Sequence, residues 1–194
     1  MRKLATLLIF CLLPASAAVA GENSSTYAKF DLNKTCKLVE KGDEYVYAGT
    51  WRCKGVGGYD ITLASSDDRD YVGFGKNAQK TCSFRKGFNR FNSAGSPVEF
   101  RMKAGKPIAA IQRWTVVLDD EGGKMTWLVV TALHGKETCP IHYVAGSYPD
   151  ANRAAQRAAD DLAEGFDCAN DVPTVDSTVG EPNTGLESCS ATAQ

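Results

Sequence analysis

Six cysteines in a short exported-looking chain constrain this sequence more than any other feature. They are Cys36, Cys53, Cys82, Cys139, Cys168 and Cys189. A seventh, Cys11, lies inside an N-terminal segment that reads as a secretory signal. Arg2 and Lys3 form its positive start, Leu4 to Leu13 its apolar run, and Ala18-Val19-Ala20 before Gly21 its cleavage site. The run stops at Pro14, well short of the roughly 20 residues a spanning helix needs. The expected mature chain therefore starts after Ala20, keeps an even number of cysteines and enters an oxidising compartment, periplasmic or secreted. That combination implies a disulfide framework. Six cysteines allow fifteen pairings, and the cysteine count alone does not choose among them.

The strand pattern narrows the choice. From Cys36 to about Arg101 the chain shows short β-prone runs separated by glycine. Tyr45–Cys53, Tyr59–Leu63, Tyr71–Gly75 and Val98–Met102 show alternation or short apolar runs typical of half-buried strands. Gly55, Gly57 and Gly58 read as a turn or bulge between the first two. The strongest pair is 107–119 and 124–134, joined by Asp120-Glu121-Gly122-Gly123. Both of its strands carry apolar residues on both faces, which places them mid-sheet. Thr138–Val144 continues the meander. From Ala151 to Phe166 the apolar positions recur with a helical period and are mostly alanine. Ser147 and Asp150 suggest a capping box before this helix, and Gly165 its end.

These elements predict an α+β fold: a mostly antiparallel meander with one Ala-rich C-terminal helix packed on it, stapled by disulfides. The expected organisation is a signal over 1–20, a flexible N-terminal segment over 21–35, one domain over 36–168 and an acidic loop-like tail over 169–194. Within it, Cys36 and Cys53 flank a hairpin, and Cys139 and Cys168 flank the helix. Cys82 and Cys189 are the remaining pair.

Charge is segregated although the total is nearly neutral. The formal net charge is −1, falling to −3 without the signal segment, which excludes a generic polyanion binder. Residues 71–98 carry Lys76, Lys80, Arg85, Lys86 and Arg90 and no acid; residues 160–194 carry eight acids and no base. The first expectation is that the tail folds over the basic segment, tied by Cys82 and Cys189. The second is that the basic segment faces a partner. Phe84, Phe88 and Phe91 interleave with Arg85, Lys86 and Arg90, and aromatic faces beside cations suit sugar rings or anionic groups. In an exported protein that partner is an envelope polysaccharide rather than nucleic acid. A secreted cationic hydrolase would instead meet the acidic tail.

Reactive constellations are sparse. His134, Cys139 and His142 have a metal-like spacing, but a half-cystine offers no thiolate, so neither metal nor cofactor is expected. No nucleophile elbow or phosphate loop occurs. Asp67, Asp68 and Asp70 read as a polar turn first, and with a histidine as the acid/base pair of a hydrolase second. Trp51, Trp114 and Trp127 read as core. The leading functional expectation is a non-enzymatic binding or inhibitor module of the cell envelope; a hydrolase or a structural envelope protein is the alternative.

The motifs Trp51-x-Cys53-x-Gly55-x-x-Gly58-Tyr59, Asp68-Arg69, Val98-Glu99-Phe100-Arg101 and Ala151-Asn152 through Phe166-x-Cys168 resemble small uncharacterised secreted proteins of Gram-negative bacteria. The resemblance spans about 36–168 and implies no activity or site residues. Cys82 and Cys189 look like additions to that pattern, consistent with a pair of their own.

Overall fold

The computed structural model describes residues 23–42, 48–118 and 122–190. The signal segment, its cleavage site and the Tyr45–Tyr47 run lie outside them. The fold has three layers, and the middle one is a sheet buried on both faces. Its order is β1 (Ser24–Ala28), β7 (Val98–Lys103), β8 (Lys106–Val117), β9 (Lys124–His134), β10 (Glu137–Ala145) and β11 (Thr174–Asp176). The short β6 (Asn92–Ala94) also pairs with β8. A second sheet, β2 (Cys36–Lys41), β3 (Gly49–Val56), β4 (Tyr59–Ser66) and β5 (Arg69–Phe74), covers one face. Helix α2 (Ala151–Leu162) covers the other; α1 (Cys82–Arg85) is a single turn. This is the mostly antiparallel α+β fold with three disulfides, its strands divided between two sheets.

The three layers explain the apolar runs of β8 and β9. Along β9, Trp127, Val129 and Leu133 point to the second sheet, while Leu128, Val130 and Ala132 point to the helix. Along β8, Ala110, Trp114 and Val116 alternate with Ala109 and Ile111 in the same way. All three tryptophans are buried. Helix α2 lays Ala154, Ala155 and Ala159 on the sheet, and their small side chains let the helix axis come close. Leu162 and Phe166 pack at its end.

A polar network fastens the helix to the β1–β7 edge. Arg101, 8% exposed, donates from Nε to Asp160 Oδ1 at 2.9 Å and from NH2 to Asp160 Oδ2 at 2.6 Å. Its NH1 donates to Ser25 Oγ at 2.7 Å, and Gln156 donates to Glu99 at 2.7 Å. These contacts hold the guanidinium firmly charged, its pKa raised chiefly by the hydrogen bond to Asp160.

The disulfides are Cys36–Cys53, Cys139–Cys168 and Cys82–Cys189. Cys36 and Cys53 are directly opposite across β2 and β3, with Cα atoms 4.3 Å apart, as in a non-hydrogen-bonded antiparallel pair. The second bridge clamps the chain leaving α2 to β10, and the third anchors the tail beside α1.

Three expectations need correction. The N-terminal segment is not frayed over 24–28: β1 pairs antiparallel with β7 from Ser24↔Met102 to Ala28↔Val98. Its polar side chains suit an edge whose stability comes from backbone bonds and from Ser25 on Arg101. The tail is not wholly loop: β11 pairs in parallel with β10, His142↔Thr174 to Val144↔Asp176. The capping box is not made. Asp150 at the helix N-cap has a left-handed φ of 51° and makes no side-chain cap.

Candidate functional site

The β4–β5 connection is a two-residue hairpin loop. Asp67 and Asp68 both take left-handed φ values, 52° and 53°, between the paired Ser66 and Arg69. Aspartate tolerates this conformation better than most residues. The loop is therefore a turn, as its polarity implied, and it does more than reverse the chain. Asp68 O accepts from Asn92 N at 3.0 Å, and Asp70 Oδ2 accepts from Ala94 N at 2.8 Å. Asn92 Oδ1 accepts from Asp70 N at 3.1 Å. On the other side, Phe91 O accepts from Val117 N at 2.9 Å. The segment carrying Phe91 is thus stitched between the second sheet and the end of β8.

That stitching creates an open cleft of about 350 Å³ where the two sheets end together. Phe91, Asp68, Ser65, Ser93, Thr115 and Lys124 line it. Phe91 is 46% exposed, and the Arg69 guanidinium sits 4.9 Å from its ring centroid. A cation over one face stiffens the ring and leaves the rest presented to solvent. Asp68 is exposed, and among the described residues its carboxylate makes no ion pair, whereas Asp67 is paired with Arg69. One oxygen of the Asp70 carboxylate, Oδ2, is taken by the backbone amide of Ala94. The cleft offers an aromatic surface, hydroxyls, the carboxylates of Asp68 and Asp70 and one ammonium.

Of the six aromatic and basic residues of 84–91, only Phe91 lines this cleft. Phe88 is buried at 4% exposure against Trp114 and Tyr143, so it is core rather than a stacking face. Phe84 packs on Tyr71. Arg85 donates to Lys80 O at 2.6 Å, and Arg90 donates to Leu118 O. Lys86 is turned under the tail, donating to Glu187 O at 2.7 Å and Gly185 O at 3.2 Å. Burial lowers its pKa, and nearby Glu187 opposes the shift. The tail therefore does fold over the basic segment, but main-chain carbonyls receive the lysine rather than the acidic side chains that the charge pattern suggested.

Neither histidine reaches the aspartate turn. His134 bonds Ala163 O at the end of α2. Its end of β9 adjoins Tyr59, whose hydroxyl donates to Leu133 O at 3.1 Å. Tyr59 begins the strand that ends at Ser66, so the turn lies about 20 Å away at roughly 3.3 Å per residue. His142 is buried on the helix side of the sheet. Its Nδ1 is 2.7 Å from Thr174 Oγ1, and its Nε2 is 3.4 Å from Asp176 Oδ2. Burial lowers its pKa, against the pull of Asp176. The imidazole sits between two β11 side chains and clips the root of the tail to the sheet. Cys139 is a half-cystine and supplies no thiolate to either histidine.

Sequence reasoning treated Phe91 and the aspartates separately, because nothing in the linear pattern joins them. The signal that joins them is Asn92, whose amide and side chain bond across to the turn. Comparison with family models, curated proteins and solved structures gives no match to this chain.

Proposed function

We propose that this chain is an exported, non-enzymatic binding module of the cell envelope, and that its cleft takes a polysaccharide. The observation that carries the reading is the half-exposed Phe91 ring, held by Arg69 and edged by hydroxyls and the Asp68 carboxylate. A sugar presents an apolar ring face and a rim of hydroxyl groups. Phe91 meets the first, and Asp68, Ser93 and Thr115 meet the second. Three disulfides fit an oxidising extracellular compartment. No helix among the described residues is long and apolar enough to cross a membrane.

The test is co-sedimentation of the mature chain with insoluble envelope polysaccharide, beside Phe91→Ala and Asp68→Asn. Both side chains are exposed, so both variants should keep the fold. Each is expected to weaken retention about tenfold, equivalent to about 1.4 kcal/mol. Retention unchanged in both variants, or no retention of the unmodified chain, rejects the reading.

A further inference from the structure

Two glycine-rich stretches that lie apart in the sequence, 55–58 and 73–75, meet in space at the end of β4 opposite the Phe91 cleft. The first contains the two-residue loop between β3 and β4, and the second closes β5. The loop between β9 and β10, Gly135-Lys136, joins them from the central sheet. Three hydrogen bonds fasten these turns together. Gly75 N donates to Asp60 O at 2.8 Å. The Tyr59 hydroxyl donates to Leu133 O at 3.1 Å and accepts from Gly135 N at 2.8 Å. Tyr59 therefore ties the second sheet to the central one at this end.

Between the turns lies a cleft of about 260 Å³. Lys76 and Lys136, both exposed, line it together with Asn77 and Tyr59. Among the described residues no carboxylate lines it. Glu137 is engaged elsewhere, its Oε1 accepting from Cys82 N at 2.9 Å. Asp60 follows Tyr59 on β4, so its side chain lies on the opposite face of that sheet. Pro107 packs against Gly57, which brings the β7–β8 turn and its exposed Lys106 to the same end. Among the described residues none of Lys76, Lys106 and Lys136 makes an ion pair. The result is a local positive field on a chain whose net charge without the signal segment is −3. Left-handed φ values of 88° and 66° at Gly58 and Gly135 favour glycine, and open space lies where a side chain would start, so a ligand can come up to the main chain there.

We propose that this cleft binds a phosphate group, free or as the monoester of a sugar, between Lys76 and Lys136. The two ammonium groups come from different sheets, Lys76 from the end of β5 and Lys136 from the β9–β10 loop, so they serve different sides of one anion. A phosphate group carries close to two negative charges at neutral pH and has oxygens for both. A singly charged carboxylate would answer only one of them. Asn77 adds an amide donor. The cleft is roomier than the anion alone requires, and the Tyr59 ring is only partly covered, so a sugar ring attached to the phosphate has a face to rest on. The bonds through Tyr59 and Gly75 hold the turns in place before a ligand arrives, which limits the ordering cost of binding. This site lies about 20 Å along β4 from the polysaccharide cleft and does not depend on that reading.

The test is isothermal titration calorimetry of the disulfide-intact mature chain at neutral pH and low ionic strength, with inorganic phosphate, glucose 6-phosphate and glucose as probes. Both phosphates are expected to bind and glucose is not; the tighter of the two shows whether the group is taken free or as the ester. Lys76→Met and Lys136→Met are each expected to weaken phosphate binding about tenfold, the loss of one charge-assisted hydrogen bond. Lys41→Met removes an exposed charge at the other end of the second sheet and is expected to bind as the unmodified chain does. A measurement without substitutions locates the site. In nuclear magnetic resonance spectra of the labelled chain, phosphate is expected to move the amide signals of Gly58 and Gly135 and to leave that of Gly122, in the loop at the far end of β9, in place. The proposal is overturned if neither phosphate binds, if Lys41→Met weakens binding as much as the two cleft variants, or if the Gly58 and Gly135 signals do not move.

Discussion

The three disulfides close loops of very different length, and this makes their removal a quantitative test of how the fold is held together. Cys36–Cys53 spans 17 residues, Cys139–Cys168 spans 29 and Cys82–Cys189 spans 107. The second lies inside the third, so with it intact the outer loop has about 80 free residues. Chain-entropy arithmetic then gives about 3, about 3.6 and about 4.5 kcal/mol for the three bridges at 25 °C. Cys53, Cys139 and Cys82 are each buried in the core, and Cys168 is buried as well, so changing the helix-clamping pair to alanine carries the largest packing loss on top of its loop term. The outer and hairpin pairs each have one buried member, so the order between those two should survive that loss. Double Cys→Ala variants, unfolded with urea at neutral pH, are expected to lose more stability for the outer pair and for the helix-clamping pair than for the hairpin pair. The m-value should rise most for the outer pair, because its unfolded chain expands most. The reasoning is refuted if losing the outer bridge costs less than losing the hairpin bridge. That result would mean the tail is not coupled to the cooperative unfolding of the body.

Two further outcomes follow from the helix-side face of the central sheet. Asp160→Asn leaves the buried Arg101 guanidinium without its carboxylate, and should cost about 2–4 kcal/mol in urea unfolding, while Arg101→Met with Asp160→Leu should recover most of that loss. A double variant no more stable than the single one contradicts this. His142 has its folded pKa depressed by burial, so below its ordinary value of about 6.5 the unfolded chain takes up a proton that the folded one resists. Stability should be fully present above that pH and fall as the solution is acidified towards the folded pKa. The same urea series from pH 7.5 to about 5 should show a flatter profile for His142→Gln, and parallel profiles for the two proteins would remove His142 as the cause.

The parts of this fold that show in the sequence are those where side chains carry the information. β8 and β9 are apolar on both faces because two layers cover them, and that doubling is visible as a run. The alanine stripe of α2 is visible because its period is fixed by the helix. The outer bridge was legible because charge, cysteine position and the elimination of the other pairs agreed. What stayed hidden is held by backbone. Ser24–Ala28 and Thr174–Asp176 are too short and polar to announce themselves, yet each finds an open ladder on β7 or β10. Asp150 adopts a left-handed φ, which aspartate tolerates, instead of capping the helix with its side chain. The division into two sheets was equally silent, since alternation says which face is buried but not which strand is the neighbour. The cleft was hidden for a related reason: Phe91 is brought to the aspartate turn by the amide and side chain of its neighbour Asn92, which nothing in the linear pattern announces.

The covering of the central sheet also decides where recognition can occur. One face is occupied by the second sheet and the other by α2, so neither offers a free surface. Its two edges are the polar β1 and the short β11, and β11 is already committed to fixing the tail. What remains open is the perimeter at the ends of the strands, where turns of both sheets come together and where no regular hydrogen-bonding dictates residue type. There a chain can place a ring, a carboxylate and hydroxyls at chosen spacings without disturbing the core. Phe91 illustrates the division: its carbonyl is fixed by Val117, its ring is braced by Arg69, and its exposed face is free to contribute to binding. Cross-linking strengthens the arrangement. The bridges stiffen the body from which the cleft is built, so on the proposed reading little conformational freedom is left to lose when a sugar meets the Phe91 ring.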